Sequence, residues 1–111
     1  MEPIQGDSRL SPKGKEVVCV DASFEPLIPK FLANRKKEVV LMQESLAGQD
    51  FETVRSIAHG AKGAGGSYGF DRVTEIAALI EQAAKAADAL VISRELVTLA
   101  SYLDRVDVLY E

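Results

Sequence analysis

One cysteine and one histidine are all that this 111-residue chain contains of two residue types on which much protein chemistry depends. Cys19 alone cannot form an internal disulfide, and with His59 as the only imidazole no zinc-finger spacing can be built. The same scarcity points to a reducing compartment. No run of apolar residues approaches the length needed to cross a membrane, and residues 1–16 carry Asp7, Arg9, Lys13, Lys15 and Glu16, which excludes an apolar signal-peptide core. The expected location is therefore cytoplasmic. Nor is there a GxxxxGK[ST] run to hold ATP, since the glycine-rich stretch follows a helical pattern rather than a strand. A net charge of −4 argues against non-specific nucleic-acid binding, and Arg35, Lys36 and Lys37 read as a solvated helix face.

With 47% hydrophobic and 27% charged residues, the chain has the composition of a globular protein, and its length fits one domain. Residues 1–16 read as a disordered polar tail, and residues 17–111 as the folded domain. Val17-Val18-Cys19-Val20 is β-branched, but nothing else in the chain reads as a strand to pair with it, so an extended lead-in packed on helices is expected. Ser23 is a candidate N-cap for a short helical turn, which Pro26 and Pro29 would separate from the first long helix.

Four amphipathic helices make up the rest of the chain. The first, from about Pro29, carries Ile28, Leu32, Val39, Met42 and Leu46 in helical spacing, with Arg35 in the same row and Phe31 beside it, and Gly48 ends it. Asp50 can cap the second, which runs through His59 to about Tyr68, where Gly69 stops it. Asp71 can cap a third with core row Val73, Ile76, Ile80, Ala83 and Ala87. Asp88 can cap a fourth with row Ile92, Leu96, Leu99, Leu103, Val106 and Tyr110. Long apolar stripes joined by short connections favour antiparallel neighbours, and hence an all-α, up-and-down four-helix bundle.

Within the second helix lie His59-Gly60-Ala61-Lys62-Gly63-Ala64-Gly65-Gly66-Ser67-Tyr68, and five of the eight glycines fall between Gly60 and Gly69. Apolar positions nevertheless keep steps of three and four through the stretch: Phe51, Val54, Ala58, Ala61, Gly65, Tyr68. That rhythm turns His59 about 150° away from the core, onto a solvent-facing surface shared with Glu52, Arg55, Ser56, Lys62, Gly63 and Gly66. The surroundings of the imidazole are small and locally basic. Each interior glycine costs roughly 0.8–1 kcal/mol relative to alanine. A reason to keep Gly60, Gly63 and Gly66 is that another molecule's backbone must come close to His59.

If the second and third helices turn near Phe70, His59 and Glu81 lie equally far from the turn, and so at the same level of the bundle. Glu81 neighbours the core position Ile80 and can accept a hydrogen bond from one imidazole nitrogen, which fixes the tautomer and leaves the other nitrogen free as a nucleophile. A neutral imidazole, with a reference pKa of about 6.5, suits that role at neutral pH. Lys62 suits an incoming dianionic phosphoryl group, which needs positioning and charge neutralisation more than covalent help.

The stretch His59-x-x-Lys62-Gly63 with Gly69-Phe70 following, and Glu81 on the next helix, resembles the histidine-containing phosphotransfer (HPt) domain, including the phosphotransfer domain of chemotaxis histidine kinases. The resemblance covers roughly Ser23 to Tyr110. It implies that His59 is phosphorylated on its outer nitrogen and exchanges the phosphoryl group with an aspartate of a response-regulator receiver domain, that Lys62 lies beside that group, that Gly63 leaves room for the receiver, and that Glu81 orients the imidazole. Arg55, Ser56, Gly60, Gly63 and Gly66 would form the docking surface around it. Ala61 and Gly60 depart from the family, whose members commonly carry a larger apolar residue and a Ser or Thr there.

The expected function is that of a phosphorelay carrier in two-component signalling, a monomer without an ATP site or cofactor of its own. Its partners would be a response-regulator receiver domain, which brings Mg²⁺, and a sensor or hybrid histidine kinase. The alternative is a non-phosphorylated adaptor or sequestering protein that binds receivers, with His59 a solvated surface residue. An adaptor needs no combination of Lys62, Gly63 and a levelled Glu81. A hydrolytic or metal enzyme is poorly supported: Glu52, Glu75 and Glu81 read as solubilising charges, and no second His or Cys accompanies His59.

Overall fold

Two aspartates start two of the helices as their side chains dictate. The computed structural model describes residues 16–111. Within it Asp50 accepts a hydrogen bond from the Thr53 amide and Asp88 one from the Val91 amide, satisfying backbone donors that the first helical turn leaves unpaired. The elements are β1 (Glu16–Val20), a 3₁₀ helix (Ala22–Leu27), α1 (Ile28–Ala47), α2 (Phe51–Tyr68), α3 (Asp71–Lys85), α4 (Ala89–Arg105) and β2 (Val106–Tyr110). The four helices form the expected four-helix bundle, with no helix long and apolar enough to cross a membrane among the described residues. The polar tail expected for residues 1–16 lies outside the described residues except for Glu16, which begins β1.

Two expectations about helix ends are corrected. Asp21, not Ser23, caps the 3₁₀ helix, accepting from both the amide and the hydroxyl of Ser23. Phe70 occupies the N-cap of α3 without a side-chain bond, and Asp71 is the first helical residue, where its charge faces the positive end of the helix dipole. Gly48 ends α1 as read, at φ −91°, and the left-handed conformation falls on Gln49 at φ 58°. Gly69 ends α2 as read, at φ 82°.

The largest correction concerns both ends of the chain. The apolar row of α4 does not continue as helix to Tyr110: the helix stops at Arg105, and Val106–Tyr110 becomes a strand that pairs in parallel with β1. Val17–Val20 therefore does have a partner, in register from Glu16 opposite Val106 to Val20 opposite Tyr110. The Glu111 amide donates to the Val20 carbonyl, and the Ala22 amide to the Glu111 carbonyl, extending the pairing past the strand ends.

The core is drawn from all four helices, with Ile28, Met42, Val54, Phe70, Val73, Ile76, Ile80, Ile92, Leu96 and Leu99 fully enclosed. Each such aliphatic or aromatic side chain contributes about 1.5–3 kcal/mol of transfer free energy. In α1 it is Phe31, not Leu32, that is buried, because Phe31 stacks on Phe70 at 4.7 Å and meets Tyr68 edge-on at 5.2 Å. Buried Arg35 lies over the Phe31 ring and pairs through its Nε with Glu38 at 2.7 Å. In α3 Ala77, Glu81 and Ala84 join the buried face, while Ala87 lies beyond the helix, exposed, at φ 54°.

Small residues bring α2 and α3 together. Ala58, Ala61 and Gly65 are buried on α2, and Ala77 and Ala84 on α3. A Cβ placed on Gly65 would come within 2.7 Å of Thr74 Oγ1 and 3.1 Å of both the Phe70 carbonyl and the Thr74 amide. The close approach explains that glycine and sets the distance across which Glu81 must reach α2.

Candidate functional site

His59 stands on α2 with its side chain 65% exposed, as its place on the helix requires. From α3, directly alongside, Glu81 projects at the edge of the core with only 5% of its side chain exposed. Their contact is His59 Nδ1 to Glu81 Oε2 at 2.9 Å. The levelling of two antiparallel helices about Phe70 thus places the two side chains within hydrogen-bond distance.

Glu81 has a second partner. Lys62 Nζ donates to Glu81 Oε1 at 2.7 Å, so the two oxygens of one carboxylate serve two side chains one helical turn apart on α2. These two hydrogen bonds, Lys62 first and His59 second, hold the Glu81 carboxyl at a pKa of about 2 against an ordinary 4.5, overcoming the desolvation that pushes the other way. The carboxylate is ionised at neutral pH and can only accept. Nδ1 of a neutral His59 therefore carries the proton, and Nε2 keeps its lone pair.

The remaining site residues sort by what they touch. Arg55 does not stand free beside the imidazole: its guanidinium makes a two-pronged ion pair with Glu52, with Nε to Oε1 at 3.2 Å and a second contact from NH2 to Oε2. Since Lys62 is also paired, the surface around His59 is neutralised rather than openly basic. Ser56 is exposed, and a Cβ on Gly60 or Gly63 would meet nothing within 4 Å. Gly66 is exposed and would make only ordinary contact with Thr74, and Ser67 Oγ donates to the Gly63 carbonyl at 3.1 Å. Alanine would thus fit the protein's own packing at Gly60, Gly63 and Gly66; of the four glycines inside α2, Gly65 alone is required by packing from within.

Thr74 is the residue that sequence reasoning missed. Its hydroxyl donates to the Lys62 carbonyl at 3.0 Å, tying α3 to the backbone of the turn that carries Lys62. The levelling that pairs His59 with Glu81 also sets Thr74 opposite Gly66, so its position was readable. Among the described residues no group of three His, Cys, Asp or Glu side chains could hold a metal ion.

The Hpt domain family model matches residues 27–108, most of the chain. The chain belongs to the Hpt domain family. Hpt domains act in two-component phosphorelays as phosphocarriers, not kinases, and interact with response-regulator receivers and with kinases. The match takes in α1 to α4 and the first residues of β2, and so every side chain of the His59 cluster; β1 falls outside it. Searches of curated proteins and of solved structures gave no significant match.

Proposed function

We propose that this Hpt domain accepts a phosphoryl group on Nε2 of His59 and exchanges it with the aspartate of a response-regulator receiver domain, a sensor or hybrid histidine kinase being the other partner. The observation that carries the reading is the Nδ1 to Oε2 contact of 2.9 Å, because it leaves the exposed nitrogen as the one with a lone pair. In the forward step that lone pair attacks the phosphorus of the receiver's aspartyl phosphate. The P–Nε2 bond forms as the P–O bond breaks, and the aspartate leaves as a carboxylate with the bonding electrons. The imidazole gains positive charge while its proton stays on Nδ1, where ionised Glu81 balances it.

Mg²⁺ comes with the receiver and neutralises charge on the transferred group. Gly60, Gly63 and Gly66 leave the surface beside His59 low enough for the receiver backbone to approach. Lys62 lies one turn away as a cation for the transferred group once it turns from Glu81. The carrier works as a monomer in the cytoplasm and has no ATP site of its own.

Incubation of the full chain with a phosphorylated receiver and Mg²⁺, followed by intact mass measurement, tests this. One phosphoryl group is expected, labile in acid, stable in base and lost in His59→Gln. Receiver binding without incorporation would instead establish an adaptor.

A further inference from the structure

Glu52 and Arg55 form a pair that the chemistry proposed for His59 leaves unused, yet both lie on its face of α2. Arg55 precedes His59 by four residues, which places their Cβ atoms about 5–6 Å apart on one side of the helix. Side chains on a helix lean toward its N-terminus, so the imidazole of His59 lies over the turn that carries Arg55. The guanidinium leans the same way and is held there by Glu52 through two contacts. Glu52 is the exposed member, with 74% of its side chain in solvent against 34% for Arg55. The Arg55 pKa is raised chiefly by its hydrogen bond to Glu52 and the charge of that residue, and last by the charge of Glu81, which places the guanidinium in the electrostatic neighbourhood of the imidazole.

We propose that Arg55 is a counter-ion for the phosphoryl group on His59, and that Glu52 competes with that group for the guanidinium. This rests on the reading of His59 as the phosphoryl acceptor. In the unphosphorylated protein Glu52 holds Arg55 away from the imidazole. A dianion on Nε2, within one side-chain rotation, offers the guanidinium two oxygens in the same forked geometry with twice the charge. The fork changes partner, and Glu52 is released to water at little cost because it is already exposed. No bond to phosphorus is made or broken in this exchange. Its effect is to set how strongly His59 retains the group relative to the receiver aspartate.

The phosphotransfer equilibrium between the phosphorylated receiver and the 111-residue Hpt chain reads this directly. Arg55→Gln is expected to shift it toward the receiver by about two- to fivefold, the range of an exposed ion pair, with Arg55→Lys recovering part of the loss. Glu52→Gln is expected to shift it toward phospho-His59 by a similar factor, and in the double variant that gain should vanish. A Glu52→Gln gain that persists without Arg55 would mean direct repulsion of the phosphoryl group and would overturn the exchange. An unchanged equilibrium in Arg55→Gln, with His59 still phosphorylated, would overturn the counter-ion role alone; absence of phosphorylation in the wild-type chain would instead remove the reading beneath it.

Discussion

Glu81 is the residue on which the site turns. It is a carboxylate at the margin of an otherwise apolar face of α3, and it stays charged because Lys62 and His59 both donate to it. Its contact with His59 was legible from the sequence, since equal distances from Phe70 set the two side chains level. Lys62 as its second partner was not: the helical face assigned Lys62 to solvent, and the face alone does not say how a long, flexible side chain will fold back. The depressed pKa makes a pH prediction with a definite sign. A group whose folded pKa lies below its unfolded value contributes stability above the unfolded pKa, and that contribution is lost as pH falls toward the folded one. Wild-type stability should therefore drop between pH 4.5 and about 2 on account of Glu81. Glu81→Gln should lose that part of the slope in denaturant titrations followed by circular dichroism at several pH values, the two proteins converging near the acid end. Parallel pH profiles would show that the two hydrogen bonds do not hold the carboxyl down.

At the scale of the element, α2 carries glycines of two kinds. Gly65 faces α3, where an added methyl would press on the Thr74 hydroxyl and on backbone atoms that cannot swing aside. Gly60 faces open space. Gly65→Ala should cost about 1–3 kcal/mol in denaturant unfolding, while Gly60→Ala should gain up to about 1 kcal/mol from helix propensity alone. Equal effects from the two substitutions would contradict the packing described for α2 and α3. The sequence could not separate these glycines, because periodicity locates a residue on a face without showing how near the neighbouring helix comes. The end of α4 was misread for a related reason. Leu103, Val106 and Tyr110 continue the three-and-four spacing of a helix, but Val106, Val108 and Tyr110 also alternate as a strand does. Both periods fit, and what decides between them is β1, a partner some ninety residues earlier in the chain. Dismissing Val17–Val20 for want of a partner and extending α4 were one error seen from two sides.

For the molecule as a whole, the bundle was legible because each helix carries its own stripe and its own stop, and short connections leave few ways to arrange four such helices. The parallel pair of β1 and β2 carries no comparable local signal. It joins segments from opposite ends of the described chain, from Glu16 opposite Val106 to Val20 opposite Tyr110. Pairing across so long a stretch gains nothing until the intervening helices have already drawn its ends together. The strands should accordingly zip last and part first. Native-state hydrogen exchange is expected to show the β1 amides opening at lower denaturant than those of the α2 and α3 interiors, with the bundle intact behind them. Exchange of β1 only in global unfolding would contradict this order. A chain built in this way should show two lifetimes, a short one for the clasp between β1 and β2 and a long one for the helices that carry His59, the first lost and regained many times within the second.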